Sequence, residues 1–222
     1  MSESLNDLLA ALHAERVRTW DARALEVNVQ QRAALVETAD REAWVKAGDD
    51  APDFRLTEVD GEELSLESLT AKGPVVLILF RFATCPACNI ALPYYARNLW
   101  PALKALGASL VAVSPQIPER LVEIKRKHGL EFQVASDLNR LGGALGVLYE
   151  FDEASKAAAT ARGGFIGDTT GTGTWELPMP TVVVIDEAGK VVFADVSPDW
   201  LVRTEAAPII EAVRALTLVP AE

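Results

Sequence analysis

Two cysteines three positions apart, Cys85 and Cys88 in the run Thr84-Cys85-Pro86-Ala87-Cys88, are the only cysteines among the 222 residues. Thiols at this spacing either exchange electrons as a dithiol–disulfide couple or supply part of a metal site. The run follows directly on an apolar stretch that ends in Arg81-Phe82-Ala83-Thr84, which predicts that the first sulfur stands at the start of a helix. Unpaired backbone N–H groups and the helix dipole there favour a thiolate, lowering the pKa from its ordinary value of about 8.5. The second sulfur reaches back within the first turn, so the pair can attack an oxidised substrate and then close as an intramolecular disulfide. The very N-terminus of a helix is its most accessible position, which favours Cys85 as the first nucleophile.

The elements that must hold this pair follow from periodicity. Val75-Val76-Leu77-Ile78-Leu79-Phe80 is a β-branched apolar run too short for a helix, and it reads as a strand buried on both faces. Helical spacing over Ile90 to Leu106, a strand over Ser109 to Ser114, a helix over Pro118 to His128 and a strand over Val134 to Ser136 give the alternation of a βαβ sheet. A short helix is expected over Leu138 to Leu148. Upstream, Asp53 to Leu66 reads as a hairpin around Asp60-Gly61. Downstream, Thr181 to Ile185 and Val191 to Val196 make a second hairpin, and a helix over Ala206 to Leu216 closes the domain. Tyr149 to Leu177, with Gly163-Gly164 and Gly171-Thr172-Gly173, is expected to be an irregular insertion near a functional edge. Leu5 to about Lys46 carries leucines and valines at helical spacing and reads as two or three amphipathic helices. Their apolar stripe must lie on the following domain or on a second copy of the chain, which makes a homodimer one expectation. Gly48 and Pro52 break the helical pattern, dividing the chain into an extension over 1–47 and a domain over 48–222.

A formal net charge of −11 argues against a nucleic-acid partner, because phosphate binding needs a cationic surface. The first twenty-odd residues carry Glu3, Asp7, Glu15, Arg16 and Arg18 without an unbroken apolar run, so neither an export signal nor a membrane span is read there. The expected compartment is the reducing cytoplasm, where a cysteine pair is catalytic or metal-binding rather than structural.

Cys85-Pro86-Ala87-Cys88 after an apolar strand, with Pro93 five residues beyond Cys88, resembles the active-site helix of thioredoxin-like proteins with its kinking proline. Met179-Pro180-Thr181 before Val182-Val183-Val184-Ile185-Asp186 resembles the cis-proline loop that faces the disulfide in that fold. The wider pattern, from Ala47 to Phe54 through Phe80-Arg81-Phe82 and Val113-Ser114-Pro115-Gln116 to Val184-Ile185-Asp186, is similar to the AhpC/TSA peroxiredoxin-like family over roughly 47–216. The resemblance implies an α/β thioredoxin-like fold, a mixed central sheet flanked by helices. It also implies an oxidoreductase that reduces a peroxide or a disulfide and is recharged by a thioredoxin-like protein or a small thiol, with no metal or organic cofactor. In the peroxiredoxin register the peroxide-attacking position falls on Cys88 and the family's threonine on Cys85, whereas the thioredoxin register makes Cys85 the attacking sulfur.

Thr84, just before the pair, and Pro86, within it, are supporting residues. Leu79 stands where thioredoxins carry a buried acid, and Pro180 stands where peroxiredoxins place an arginine. Arg81 is then the nearest cation to supply a positive field, or else a surface charge at a strand end. Trp175 and Glu176, ahead of the Met-Pro loop, either line the cleft, with Glu176 as a proton shuttle, or in the tryptophan's case anchor packing. Two alternatives stand beside peroxide reduction within the same chemistry or outside it: a protein disulfide reductase, and a zinc-binding or non-catalytic interaction module. A closed zinc site wants four ligands, and besides the sulfurs the chain offers the histidines His13 and His128.

Overall fold

The computed structural model describes residues 3–217. Two helices lead, α1 (Leu5–Thr19) and α2 (Ala22–Thr38), followed by β1 (Arg55–Glu58), β2 (Glu63–Ser65), α3 (Leu66–Thr70) and β3 (Val75–Leu79). Next come α4 (Cys88–Asn98), α5 (Trp100–Ala105), β4 (Ser109–Ser114), α6 (Pro118–His128), β5 (Gln133–Ser136) and α7 (Arg140–Ala144). The chain ends with β6 (Leu148–Glu150), α8 (Glu153–Thr160), α9 (Ile166–Thr170), β7 (Glu176–Pro178), β8 (Thr181–Ile185), β9 (Val191–Val196) and α10 (Ala206–Thr217).

Seven strands form one mixed sheet in the order β2-β1-β5-β4-β3-β8-β9. β3, β4 and β5 run parallel, joined by helical crossovers, while β8 and β1 lie antiparallel on either side of that set. This is the α/β thioredoxin-like architecture expected from the sequence. All five residues of β3 are buried, as a strand covered on both faces requires.

α1 joins the same core. Leu5 and Leu9 are fully buried, and α1 packs on α4, so this part of the extension's apolar stripe lies on the chain's own domain, while Val17 and Val36 stay exposed. The segment after α2 is not a loose tether. Gly48 N–H donates to Val191 O at 2.8 Å, and Ala51 N–H to Gly189 O at 2.9 Å, laying the chain along the β8–β9 hairpin.

Several expectations need correction. The helix expected over Ile90 to Leu106 is two helices broken at Leu99, because Pro101 at the start of α5 has no N–H to continue the first ladder. The helix expected over 138–148 shrinks to Arg140–Ala144, entered through Leu138 and Asn139 at positive φ. The 149–177 segment is ordered as α8, α9 and a separate β6–β7 ribbon. Its alanine-rich and threonine-rich helices are too short to show a helical period. Among the described residues no peptide bond is cis, so Met179-Pro180 is trans and the cis-proline expectation fails.

Candidate functional site

The loop carrying the cysteines is fixed by the end of β4. Ser114 Oγ donates to Arg81 O at 3.1 Å, and Ala83 N–H donates to Gln116 Oε1 at 2.8 Å, while Gln116 Nε2 donates on to Thr169 O at 3.0 Å. Thus the Val113-Ser114-Pro115-Gln116 motif holds the stretch between β3 and α4. From the other side, Asn89 Nδ2 donates to Ala83 O at 2.6 Å and to Cys85 O at 3.0 Å, closing the turn.

This geometry shifts the sequence reading of the pair. Cys85 lies in the turn before α4, and Cys88 is the first residue of the helix proper, with Ala87 as its N-cap. Exposure does not separate them, because Cys85 is 1 % exposed and Cys88 0 %. Accessibility therefore gives Cys85 no advantage. Both sulfurs are free thiols, and they share a hydrogen bond.

Charge does separate them. Burial alone would push the Cys88 thiol up, but the Cys85 thiol donates to its sulfur and the Arg203 guanidinium lies against it. Arg203 Nη2 is 3.5 Å from Cys88 Sγ. Together these hold Cys88 well below the ordinary thiol range. That same hydrogen bond to Cys88, together with burial, holds Cys85 well above it. The two shifts oppose each other across one sulfur–sulfur hydrogen bond, so negative charge on the pair is favoured at the sulfur beside Arg203.

Arg203 is the cation that sequence reasoning missed. It lies between β9 and α10, and Pro180, standing at the family's arginine position, borders a small void that Arg203 also lines. Arg203 is held by Nε donating to Trp200 O at 2.9 Å and by its backbone N–H donating to Asn6 Oδ1 of α1 at 2.8 Å. Arg81 is no surface charge. It is buried, and its guanidinium sits 4.6 Å from the Trp200 ring, 5.4 Å from Phe82 and 5.9 Å from Phe151. These ring faces attract the cation where water is excluded. A third buried guanidinium, Arg16 of α1, stacks on Trp20 at 4.8 Å and is close enough to feel the charge of Cys85 and of Arg81.

The other expected site residues fall further out. Thr84 and Pro86 are exposed and border a pocket with Lys127 and Glu123 that neither cysteine lines. Trp175 packs on Phe165 at 4.7 Å and Phe151 at 5.8 Å, one ring removed from Arg81, and so belongs to the aromatic wall behind the site. Glu176 is half-buried on β7, and its main chain accepts from Asn139 Nδ2 and donates to Thr174 Oγ1. Nothing in this geometry brings its carboxylate to the sulfurs. His128 is committed to Asn89, with Nε2 2.9 Å from Oδ1. Among the described residues no group of three or more His, Cys, Asp or Glu side chains is placed to hold a metal, and no helix is long and apolar enough to cross a membrane.

Known proteins carry the same framework. Over 155 residues the chain is 29 % identical to the thiol-disulfide oxidoreductase ResA of Bacillus anthracis, covering 69 % of this chain and 71 % of that one. It is 28 % identical over 147 residues to a Mycobacterium tuberculosis protein provisionally named as a peroxiredoxin, covering 66 % and 82 %. In structure it resembles the peroxidoxin BcpB of M. tuberculosis, with a TM-score of 0.59 at 23 % identity over 78 % of this chain and 98 % of that one. The AhpC/TSA family model matches residues 47–194, from the strap along the last hairpin to the body of β9. That span contains the β3 strand, the cysteine turn and the β4 clamp, and with two thirds of its length accounted for the chain belongs to the AhpC/TSA family.

Proposed function

We propose that this oxidoreductase reduces peroxides through Cys88, with Cys85 resolving the product. The observation that carries the proposal is the placement of Cys88 under Arg203 with the Cys85 thiol donating to it. The Cys88 thiolate attacks the distal peroxide oxygen; an S–O bond forms, the O–O bond breaks, and the leaving alkoxide takes a proton. Cys88 is then a sulfenic acid. The Cys85 sulfur displaces its oxygen as water, forming the Cys85–Cys88 disulfide. Two electrons from an external thiol, a thioredoxin-like protein or a small thiol, return the pair to its starting state. A reducing, cytoplasmic setting would supply them. In this reading residues 1–47 form a cap on the domain spanning 48–222.

Burial favours a peroxide over a protein disulfide as oxidant. A small peroxide needs only a transient gap to reach sulfurs exposed by 1 % or less, whereas a protein disulfide needs an open face. Disulfide reduction remains the second reading because of the likeness to ResA. Mass spectrometry after limited peroxide treatment tests the first. Cys85→Ser should accumulate a sulfenic acid on Cys88, and Cys88→Ser should remain unoxidised; the reverse pattern overturns the assignment. Insulin reduction without peroxide-dependent oxidation of the pair would favour the second reading.

A further inference from the structure

The turn that carries Cys85 is held by one side-chain amide. Asn89, the second residue of α4, uses both atoms of that amide twice. Its Nδ2 donates to Ala83 O at 2.6 Å and to Cys85 O at 3.0 Å, and its main-chain N–H donates to the same Cys85 O at 3.0 Å. Its Oδ1 accepts from Lys127 Nζ and from His128 Nε2, each at 2.9 Å. An ammonium can only donate, so the oxygen must face α6 and the NH2 must face the turn. The two α6 residues therefore fix which way the amide points. Ala83 is pinned from the other side as well, through its N–H to Gln116 Oε1 at 2.8 Å. The backbone bearing the Cys85 thiol is thus set between Asn89 and the loop after β4. Asparagine is a poor helix former, so what it contributes at this position is the amide.

We propose that Asn89 is the positioning residue for resolution: it holds Cys85 within reach of Cys88, so that the disulfide closes before a second oxidant reaches the same sulfur. This inference rests on the peroxidatic reading and adds what decides the fate of the Cys88 sulfenic acid. Two reactions compete there. In one, the Cys85 sulfur attacks the Cys88 sulfur, the S–O bond breaks, and the oxygen leaves as water with the Cys85 proton. In the other, a second peroxide is reduced by transferring one oxygen to the Cys88 sulfur. That gives a sulfinic acid, which thiols do not return, and releases an alcohol, or water when the oxidant is hydrogen peroxide. The first reaction is intramolecular and depends on how well the two sulfurs are held, whereas the second scales with peroxide concentration. The sulfurs share a hydrogen bond in the reduced protein, so closure is a short movement from the geometry that Asn89 holds.

Both fates start from the sulfenic acid, so their ratio does not depend on how fast that acid forms. Mass spectrometry of the reduced full-length protein over a series of hydrogen peroxide concentrations reads the ratio as disulfide against Cys88 sulfinic acid. Asn89→Leu keeps the side-chain size and removes the amide. Half-conversion to sulfinic acid should then come at about tenfold less peroxide, short of the roughly hundredfold that an ångström of misplacement can cost. Lys127→Met with His128→Phe leaves Asn89 in place and frees its amide to turn, and should shift the ratio the same way by a smaller factor. A merely structural Asn89 would lower the melting temperature of the variants and leave the ratio where it was, and that result overturns the proposal. Where Asn89→Leu does not fold, an unmoved ratio in the α6 variant overturns it equally. Closure is also measured without peroxide. One equivalent of methyl methanethiosulfonate leaves a methyl disulfide on the reactive sulfur and releases methanesulfinate; the other cysteine then displaces methanethiol, which takes its proton. This adduct should live about tenfold longer in Asn89→Leu. Slow closure there, together with a wild-type pair inert to peroxide, would keep the role of Asn89 and discard the peroxidatic reading. An oxidisable pair with unaltered closure in the variants would do the opposite.

Discussion

A thiolate sealed from water persists only where its charge is met, and at Cys88 it is met by a guanidinium and a thiol. The consequence is a pH dependence of definite sign. The Cys88 pKa is lowered by folding, so its thiolate contributes stability to the reduced protein above the unfolded thiol value of about 8.5, and this is lost as pH falls through the folded midpoint. Arg203→Met removes both the charge and the hydrogen bond while keeping much of the side-chain volume. The thiolate midpoint, followed by ultraviolet absorbance, should rise, and reactivity at neutral pH should fall about tenfold for each unit by which it exceeds the assay pH. An unmoved midpoint would mean that Cys85 and the helix start suffice without the arginine. The sequence exposes only part of this constellation. Arg81 is legible because it abuts the motif, whereas Arg203 lies 115 positions beyond Cys88 and Arg16 sits on a separate helix, where no spacing rule ties them to the sulfurs. The order of reactivity within the pair is likewise invisible in a string, since it depends on which sulfur the guanidinium approaches.

Glu205 is the element-scale counterpart of that pairing, and it fixes α1 to the rest of the fold. Its carboxylate accepts from Ser4 Oγ, Leu5 N–H and Asn6 N–H, each at 2.9 Å, and from the Tyr94 hydroxyl at 2.6 Å. Burial opposes the charge, but the Tyr94 hydroxyl and the α1 donors outweigh it and hold the carboxyl at about 2. A depressed carboxyl stabilises above its unfolded value of 4.5, and the contribution fades as pH falls from there towards about 2. Glu205→Gln should cost about 1–3 kcal/mol in denaturant melts and should speed amide exchange along α1 before other helices. Unchanged α1 exchange would show that Leu5 and Leu9 hold the helix without this clamp. Such long-range clamps are absent from local pattern, which explains what the sequence reveals of the elements and what it hides. The apolar runs of β3, β4 and β8 and the Asp60-Gly61 hairpin are legible because their signals are local. The α8 and α9 helices are hidden because Ala157, Ala158 and Ala159 or Thr169 and Thr170 carry no periodic apolar stripe.

At the scale of the whole molecule the sulfurs are closed off, and the protein must open somewhere to react. α1 is the movable cover we assign: it packs on α4, the helix that begins at Cys88, and α2 is braced against α8 and by Arg32 to Asp199. A core residue has no such option, because exposing Leu77 or Val183 at the middle of the sheet requires the sheet itself to come apart. Opening by the two helices alone exposes a fraction of the area exposed by global unfolding, and urea sensitivity scales with exposed area. The logarithm of the alkylation rate of the pair should therefore rise with urea, below the unfolding transition, at roughly a fifth of the equilibrium slope. A slope equal to the equilibrium one would mean that the sulfurs react only in the unfolded chain, and the cap would have no part in access. A slope of zero would mean that a path to Cys88 exists without the helices moving. The intermediate slope, steepened in Glu205→Gln because the clamp no longer resists the same motion, ties the reactivity of two buried sulfurs to the docking of a helix eighty residues earlier in the chain.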